Sequence, residues 1–374
     1  MLRGGENAAI RVLSGADIAS VLTPQQVIER VQEAYLWKAQ GRTATFPLVF
    51  HEFTPGVADM DIKSGHLAPA GLFGLKLVSF FAPNAASGLP VLYGTILLAD
   101  DATGAPLALM EGTHLTGLRT GAAAAIGALH LARPESERFL IVGAGHQCVF
   151  QVGAMACAFP QLKQVMICDP LDFGNAVKRA ATLAQEAPGA IGMELPGHLE
   201  ILAVRDLEEA VRTSDIITTA TPAREPLIDD GWVQPGTHFS CVGSDMPGKQ
   251  ELDPRILARS RVFVDDLPQC LEVGEIELAV KAGFISAEDI IGEIGMIMPR
   301  CAEEKLAQES GTCGSAEGSA EGATPGDGAP VQGRTSPEDI TVFDSTGIAL
   351  QDLAAARAAF DAAEAAGLGV VAAL

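Results

Sequence analysis

Two lysines, Lys63 and Lys76, lie in the segment MDIKSGHLAPAGLFGLKLVSFF, in which most other residues are apolar or small. Lysine is seldom buried without a partner, so a lysine in such surroundings is a candidate for binding an anionic substrate or for chemistry. Either lysine could instead lay its apolar stem along a strand edge and keep its ammonium group in water. The rest of the chain must therefore define the site to which one of them belongs.

A glycine-rich turn follows an apolar run in RFLIVGAGHQC and precedes a helical pattern. Gly143 permits the tight turn, and Gly145 lets the backbone approach a pyrophosphate. The start of the next helix, at His146 and Gln147, offers free N–H groups and the positive end of the helix dipole to that anion. The third position of the motif is Cys148, which is small enough for close packing of helix on strand. An ordinary turn is the alternative, but the context favours a dinucleotide site.

Asp169 ends the next apolar strand, in VMICDP. An acidic side chain there can bond both ribose hydroxyls of an adenosine and repels the 2′-phosphate of NADP, so NAD is predicted over NADP. Lys178 and Arg179 nearby argue for NADP, and capping of the following turn is the alternative role for Asp169. A later turn, after DIITTAT, should also lie along the dinucleotide. It comprises Thr219, Ala220 and Thr221.

A second glycine-rich element, CVGSDMPGKQEL, also follows an apolar strand. Its Asp245 lies at the carboxyl end of that strand, where doubly wound sheets bind their ligands. Taken alone, an aspartate in such a turn more often stabilises the turn than takes part in catalysis. Both roles therefore stay open from the local pattern.

Composition excludes several classes of function. The chain has 374 residues, enough for two domains at roughly 100–200 residues each, and its formal net charge of −22 leaves no basic face for nucleic acid. The seven cysteines have no CxxC or metal-site spacing. No signal region or long apolar run is found. We expect a cytoplasmic protein with no metal, no nucleic-acid partner and no membrane partner.

The order of elements indicates two differently built parts. Up to about residue 130 the patterns predict a mixed sheet with helices, one of which begins at Thr23-Pro24. Beyond it, apolar strands alternate with short helices, one of them over 174–186, which favours a parallel, doubly wound sheet. Residues 302–332 have almost no large apolar side chains after the first few, and they predict a mobile inserted loop. A solvated insertion is favoured there over a lid.

Five of these segments, in this order, resemble the ornithine cyclodeaminase/μ-crystallin family. They are GLKLVSFFAPNAASGLP, DDATGAPLALMEGTHLTGLRTGAAAAIGALHLA, IVGAGHQC, VGSDMPGKQEL and GRTSPEDITVFDSTGIALQDL. The resemblance covers about residues 30–360 apart from the insertion. It implies an α/β fold with a Rossmann NAD-binding domain (133–348) and a discontinuous α+β substrate and dimerisation domain (1–132 and 349–374). It also implies a homodimer that acts on a small amino acid or imino acid.

The resemblance also assigns roles to individual residues. Lys76 matches the family's active-site lysine, near the substrate carboxylate and the reacting nitrogen, so it is the chemical lysine of the opening segment. Arg119 of LRT matches an arginine that helps to hold the carboxylate, and Asp245 matches the general acid/base. Ser345 and Gly347 of FDSTG would line the nicotinamide end of the cofactor.

One departure from the family pattern concerns the substrate cations. Most members place an arginine after the proline of the segment written TFPLVF here, followed by a Met-Pro-Ala-like element, whereas this chain has Leu48 and then KSG. Our hypothesis is that Lys63 replaces the missing arginine as an anion clamp, with a point charge in place of a bidentate fork. The alternative is that Lys63 pairs with Asp59 or Asp61 at the surface.

Three functions are compatible with these observations. The first, which we favour, is an NAD(P)-dependent amino-acid dehydrogenase or imine reductase. The second is an ornithine cyclodeaminase, an ammonia lyase that keeps NAD bound and forms proline. The third is a non-enzymatic, crystallin-like binding protein, and the presence of Lys76, Arg119 and Asp245 together counts against it.

Overall fold

The structure, a computed structural model, describes residues 9–298 and 331–373, and their strands form two eight-stranded sheets. The insertion predicted at 302–332 lies outside the described residues as far as residue 330. No helix within the described ranges is both long enough and apolar enough to cross a bilayer. The predicted division into domains at 132/133 and 348/349 stays a prediction, although the two sheets fall on different sides of it.

The first sheet is mostly antiparallel. Its strands are β1 (Ala9–Leu13), β2 (Thr43–Thr45), β3 (Val49–Thr54), β4 (Ala58–Leu67), β5 (Leu72–Phe81), β6 (Leu92–Asp100), β7 (Pro106–Glu111) and β16 (Val370–Ala373). Their order is β16-β1-β7-β6-β5-β4-β2, with β3 also paired to β4, and only β1 and β7 run parallel. The mixed sheet predicted for the first 130 residues is thus present, and the last strand of the chain completes it.

The second sheet is parallel throughout. Its strands are β8 (Arg138–Val142), β9 (Gln164–Cys168), β10 (Glu200–Ala203), β11 (Ile216–Thr219), β12 (His238–Cys241), β13 (Arg261–Val264), β14 (Gly292–Glu293) and β15 (Thr341–Asp344). The order β10-β9-β8-β11-β12-β15-β13-β14 reverses direction between β8 and β11. Doubly wound sheets bind dinucleotides at such a reversal, so the α/β fold class and the Rossmann topology predicted from the sequence are confirmed.

Helices cover both sheets. They are α1 (Gly15–Val21), α2 (Pro24–Ala39), α3 (Gly112–Leu131), α4 (Gln147–Ala158), α5 (Phe173–Ile191), α6 (Leu207–Thr213), α7 (Pro254–Ala258), α8 (Leu267–Val273), α9 (Ile276–Lys281) and α10 (Ala349–Ala366). The start of α2 is as predicted, because Thr23 and Gln26 form a capping box before Pro24. The helix predicted over 174–186 is longer, since Pro188 is accommodated in its last turn and Gly192 ends it at φ +68°.

Two helices position the candidate site between the sheets. α3 follows the last hairpin strand of the first sheet and packs on α4, α10 and the second sheet's β12 and β15. α10 follows β15 of the second sheet and lies across β4, β5 and β6 of the first. α3 thus carries the chain from the first sheet to the second, and α10 leads it back. Arg119 of α3 meets Asp352 of α10, which contacts Lys76 of β5.

Candidate active site

Lys63 and Lys76 are direct cross-strand partners. They face each other in the register of β4 and β5, so both side chains leave the sheet on the same side, toward α10. Opposed side chains in antiparallel pairs have Cβ atoms about 4.5–5.5 Å apart, and like charges there repel each other. The pair therefore requires compensating negative charge from another part of the chain.

Asp352 on α10 supplies that charge, and sequence reasoning missed it. Its Oδ1 accepts hydrogen bonds from Lys76 Nζ at 3.0 Å and from Arg119 Nε at 2.9 Å. Lys76 Nζ also lies 2.9 Å from Oδ2, and all three side chains are buried. An acidic residue inside an alanine- and leucine-rich helical stretch was the signal available in the sequence, because such a residue is seldom buried without a partner.

The environment of Lys76 shifts its proton affinity. Burial lowers the pKa of Lys76 to about 8, and the nearby charge of Arg119 adds to this effect while Asp352 opposes it. Burial would raise the pKa of Asp352, but Arg119 and Lys76 outweigh it and hold that pKa below its ordinary value. At neutral pH the cluster thus carries two cations on one carboxylate, which leaves an excess positive charge to bind an anion.

This pKa predicts how carboxylate binding depends on pH. Below pH 8 the ammonium group of Lys76 is charged and attracts a carboxylate, so affinity should fall as pH rises through about 8. Propionate has no amino group, so its own charge does not change between pH 7 and 10. Its inhibition constant should therefore increase over this range. The Asp352→Asn variant removes a charge that favours the ammonium form and should move the midpoint to lower pH. A midpoint unchanged by Asp352→Asn would contradict the assignment.

Lys63 makes contacts that neither sequence hypothesis anticipated. Its Nζ donates to the backbone carbonyls of Thr346 at 3.1 Å and Gly347 at 2.8 Å, so it connects β4 to the turn before α10. Gly347 has φ +78°, and a Cβ there would collide with the guanidinium group of Arg119. The turn is therefore held between two cations, and one N–H of Lys63 remains for a ligand.

A second residue that sequence reasoning missed, Asp265, holds this turn from the second sheet. Its Oδ2 accepts from Ser345 Oγ and Gly347 N, both at 2.9 Å, and its Oδ1 accepts from Thr346 Oγ1 at 3.1 Å. The hydroxyl of Ser345 is thus used inside the protein. A direct contact of Ser345 or Gly347 with a cofactor stays a prediction.

Asp61 belongs to the cleft beside Lys63 and Lys76, although the sequence suggested only a surface ion pair for it. It precedes Lys63 by two residues on β4 and so lies on the same face of the strand. Its Oδ1 is buried without a hydrogen-bond partner among the described residues. Burial raises the pKa of Asp61, Lys63 and Lys76 oppose the shift, and Asp352 and Asp245 add to it. The two-residue spacing along β4 was the signal that could have identified it.

Asp245 reaches this cleft from the loop after β12. Half of its side chain is exposed, and its Oδ1 accepts from Lys249 Nζ at 2.5 Å. Desolvation would raise the pKa of Asp245, but Lys249 and Lys63 outweigh it and keep the pKa below its ordinary value. At neutral pH Asp245 is therefore a carboxylate that can accept a proton. The structure brings four predicted site residues to one cleft: Lys63, Lys76, Arg119 and Asp245.

The glycine turn after β8 has the geometry of a dinucleotide cradle. Gly143 has φ +120°, and a Cβ there would lie 2.6 Å from the carbonyl oxygen of Ala220, in the turn after β11. A Cβ at Gly145 would meet nothing within 4 Å, so open space lies before the N-terminus of α4. Gln147 Oε1 and Thr219 Oγ1 are buried without partners in the described part of the chain. Open space and unpaired polar atoms at this reversal of strand order fit a dinucleotide.

Three other predicted cofactor residues have contacts within the protein. His146 packs its ring against Phe150, with ring centroids 5.1 Å apart, just before α4. Thr221 donates from both its N and its Oγ1 to Glu251, at 2.8 and 2.7 Å. Asp169 Oδ1 accepts from two backbone N–H groups of the following turn and its Oδ2 accepts from Asn175, so the turn-capping alternative is realised. Capping leaves lone pairs on Oδ2, and the ribose role of Asp169 stays a prediction.

Arg179, the residue that argued for NADP, is engaged within the protein beside the glycine turn. Its Nε donates to the Ala144 carbonyl at 3.2 Å, and its Nη1 forms an ion pair with Glu186. Within residues 9–298 and 331–373, no group of three His, Cys, Asp or Glu side chains could hold a metal ion.

Comparison with known proteins agrees with this geometry. Residues 9–308 and 327–367 match the profile of the ornithine cyclodeaminase/mu-crystallin family. The chain is 33% identical over 350 residues to an alanine dehydrogenase of Archaeoglobus fulgidus, covering 94% of each chain. It superposes with a TM-score of 0.79 on an archaeal alanine dehydrogenase dimer with bound NAD (32% identity, 97% and 99% of the two chains covered). With Δ1-pyrroline-2-carboxylate reductase of Thermococcus litoralis, solved with NADH and L-proline, the TM-score is 0.80 (30% identity, 96% and 99% covered). The chain belongs to the ornithine cyclodeaminase/mu-crystallin family.

Proposed function

We propose that this protein is an NAD-dependent oxidoreductase that interconverts a small L-amino acid and its imine. The observation that carries the proposal is the buried Lys76–Arg119–Asp352 cluster beside Asp61, whose carboxyl is within the field of Asp245, together with the dinucleotide cradle at Gly143. The relatives of this protein named above include an alanine dehydrogenase and an imino-acid reductase whose structure was solved with NADH.

The cofactor would lie on the second sheet. When bound, NAD accepts a hydride from C2 of the amino acid or returns one to the imine. Gly143 and Gly145 would give a pyrophosphate access to the backbone, and the free N–H groups at the start of α4, at His146 and Gln147, would bind it. Asp169 at the end of β9 favours NAD over NADP, and the pairing of Arg179 with Glu186 removes a cation that a 2′-phosphate would need.

The side chains of the cleft divide the remaining work. Lys76 and Arg119 hold the substrate carboxylate with N–H groups that neither Asp352 nor Gln351 uses, and this orients C2. Asp245 receives the proton lost by the substrate nitrogen in the oxidative direction and returns it in the reductive one. The remaining N–H of Lys63 offers a third contact to a carboxyl group, as the anion-clamp hypothesis requires.

An ornithine cyclodeaminase is the second candidate, and Asp61 is the observation that favours it. Its buried Oδ1 has no partner among the described residues, and a distal ammonium group on the substrate side chain would pair with it. In that case the amino acid would be oxidised transiently, lose ammonia on cyclisation and recover the hydride.

A coupled assay separates the candidates. The purified protein is incubated with NAD and a panel of small L-amino acids that includes ornithine, while NADH absorbance and ammonia are followed together. Ammonia with an equal amount of NADH supports the dehydrogenase, whereas ammonia from ornithine without net NADH supports the cyclodeaminase. No signal in this direction or with NADH and imines would contradict both and leave a binding protein.

We also propose a homodimer formed through the open face of the first sheet. This face, opposite α10, is apolar, and nothing in residues 9–298 or 331–373 covers it. The register places on it the exposed residues Val12, Val49, Phe53, Phe73, Leu77, Tyr93, Leu109 and Val370. Apolar patches of this extent on soluble proteins mark interaction surfaces, and a second copy offers the same apolar face for symmetric packing. The archaeal alanine dehydrogenase named above is a dimer.

A charge on this face should therefore produce monomers. Leu77→Asp places a carboxylate in the middle of the open face, where dimerisation would bury it unpaired, and light scattering after gel filtration should give the mass of one chain. Leu171→Asp is the matched control, because Leu171 is 92% exposed near the second sheet, and this variant should stay dimeric. A dimeric Leu77→Asp variant would rule out this face.

A further inference from the structure

Two buried glutamates that the mechanism does not use hold the segment that carries Asp245. This segment, residues 242–252, is called the Asp245 loop. Glu251 lies in the loop, and Glu275 lies immediately before α9; both side chains are fully buried. Every hydrogen bond described for their carboxylates comes from a neutral donor.

Glu251 connects the Asp245 loop to the turn after β11. Its Oε1 accepts from the N and Oγ1 of Thr221 at 2.8 and 2.7 Å, and its Oε2 accepts from Gly243 N at 3.1 Å. The turn that closes over Gly143 and the loop that carries Asp245 are thus joined by one carboxylate.

Glu275 binds both ends of the Asp245 loop. Its Oε2 accepts from the hydroxyl of Ser244 at 2.6 Å, directly beside Asp245. Its Oε1 accepts from the backbone N–H of Leu252 at 2.7 Å and of Glu251 at 2.9 Å. The loop cannot move relative to α9 without breaking these bonds, so Glu275 fixes the position of the aspartate in the cleft.

The charged groups around the pair do not neutralise it. The neighbours of the pair include a thiol and two acidic side chains, those of Cys241, Asp344 and Glu277. Of the nearby lysines, Lys249 is paired with Asp245 and Lys281 is paired with Glu277. Burial raises the pKa of Glu251 to about 7. Burial and the charge of Glu251 raise the pKa of Glu275 well above its ordinary value. Around neutral pH the pair therefore carries less than two full charges, and ionisation of both carboxyls would place like charges together without water.

We infer that Glu251 and Glu275 are positioning residues, which hold the Asp245 loop against the turn at Thr221 and so keep Asp245 in reach of the substrate nitrogen. The inference rests on the proposed function in one respect, namely that Asp245 exchanges a proton with the substrate. As pH rises and both carboxyls ionise, their repulsion loosens the loop. The rate at saturating substrate should then fall, whereas titration of Lys76 acts on substrate binding and hence on KM.

The test compares Glu275→Gln and Glu275→Ala in the full-length protein. Glutamine keeps an acceptor for Glu251 N and Leu252 N, so kcat at pH 7 should stay within about threefold of wild type. Because glutamine carries no charge, the fall of kcat at alkaline pH should be smaller or absent in this variant. Alanine removes the acceptor, and kcat should fall about 10–100-fold through misplacement of Asp245. Glu277→Gln is the control, because Glu277 also accepts a hydrogen bond from the Asp245 loop, at Gly248 N, but its charge is paired with Lys281. The fall of kcat at alkaline pH should therefore persist in this variant.

Hydrogen–deuterium exchange over residues 242–252 provides a readout that does not require turnover. The amides of this loop in wild type should lose protection as the pH is raised above 7, after correction for intrinsic exchange, whereas Glu275→Gln should retain protection over the same range. Equal protection and equal kcat–pH profiles in wild type and Glu275→Gln would overturn the inference. If the wild-type protein shows the predicted exchange pattern but turns over no amino acid or imine, only the proposed function is contradicted.

Discussion

Asp245→Asn should lower kcat by about 10²–10⁴-fold, because the amide cannot exchange a proton with the substrate nitrogen. The carboxylate lies in the cleft within the fields of Asp61 and Lys63, and its low pKa keeps it ionised at neutral pH. The asparagine has almost the same shape, so substrate KM and NADH affinity should change little. Steady-state kinetics and quenching of NADH fluorescence measure these quantities.

The control for this variant is Asp59→Asn. Asp59 precedes Asp61 by two residues on β4, and its charge acts on Asp245, yet it contacts none of the cluster residues. Removing its charge should change kcat by no more than about threefold. An Asp245→Asn variant that keeps a third or more of the wild-type kcat would show that the proton goes elsewhere.

Lys76→Met should raise KM for the amino acid by about 10–100-fold. A charge-assisted hydrogen bond contributes about 1.5–3 kcal/mol, and about 1.4 kcal/mol corresponds to one factor of ten in affinity. Methionine preserves the apolar stem between its neighbours. Lys63→Met should raise KM less, because Nζ of Lys63 already donates to two carbonyl groups.

Stability must be separated from binding in this variant. Removing Lys76 leaves the buried Asp352 with Arg119, and breaking a buried ion pair commonly costs about 3–5 kcal/mol in folding. The double variant Lys76→Met/Asp352→Asn removes both charges and should recover thermal stability without recovering KM. Lys281→Met, at an exposed residue in the last turn of α9, controls for loss of a positive charge. An unchanged KM in Lys76→Met would exclude the lysine from substrate binding.

Local patterns were sufficient for the second sheet and for the motif residues. The turn at Gly143, the capped start of α2 and the alternation of strands and helices depend on neighbours along the chain, and each is present as predicted. The family resemblance assigned site roles to Lys76, Arg119 and Asp245, and these roles stay predictions, although the three residues lie in one region of the structure.

The residues that organise this cleft could not be found in the same way. Asp352 contacts Lys76 across 276 positions of sequence, and Lys63 reaches the carbonyl of Gly347 across 284. Such contacts depend on the register of β4 and β5 and on the path of α10 over the sheet, which no local pattern encodes. The bonds from Lys63 to carbonyl groups are a further example. Every residue has a backbone carbonyl group, so the sequence does not show which of them accepts from a lysine.

Transfer of deuterium from NADH to C2 of the product would show directly that the protein exchanges a hydride between NADH and an amino acid. The protein is incubated with (4R)- and, separately, (4S)-[4-²H]NADH and either a 2-oxo acid with ammonia or a cyclic imino acid, and the product is analysed by mass spectrometry. We expect one deuterium at C2 for every NADH oxidised with one of the two labelled forms, and none with the other. Product that carries no deuterium from either form would contradict the proposed hydride transfer.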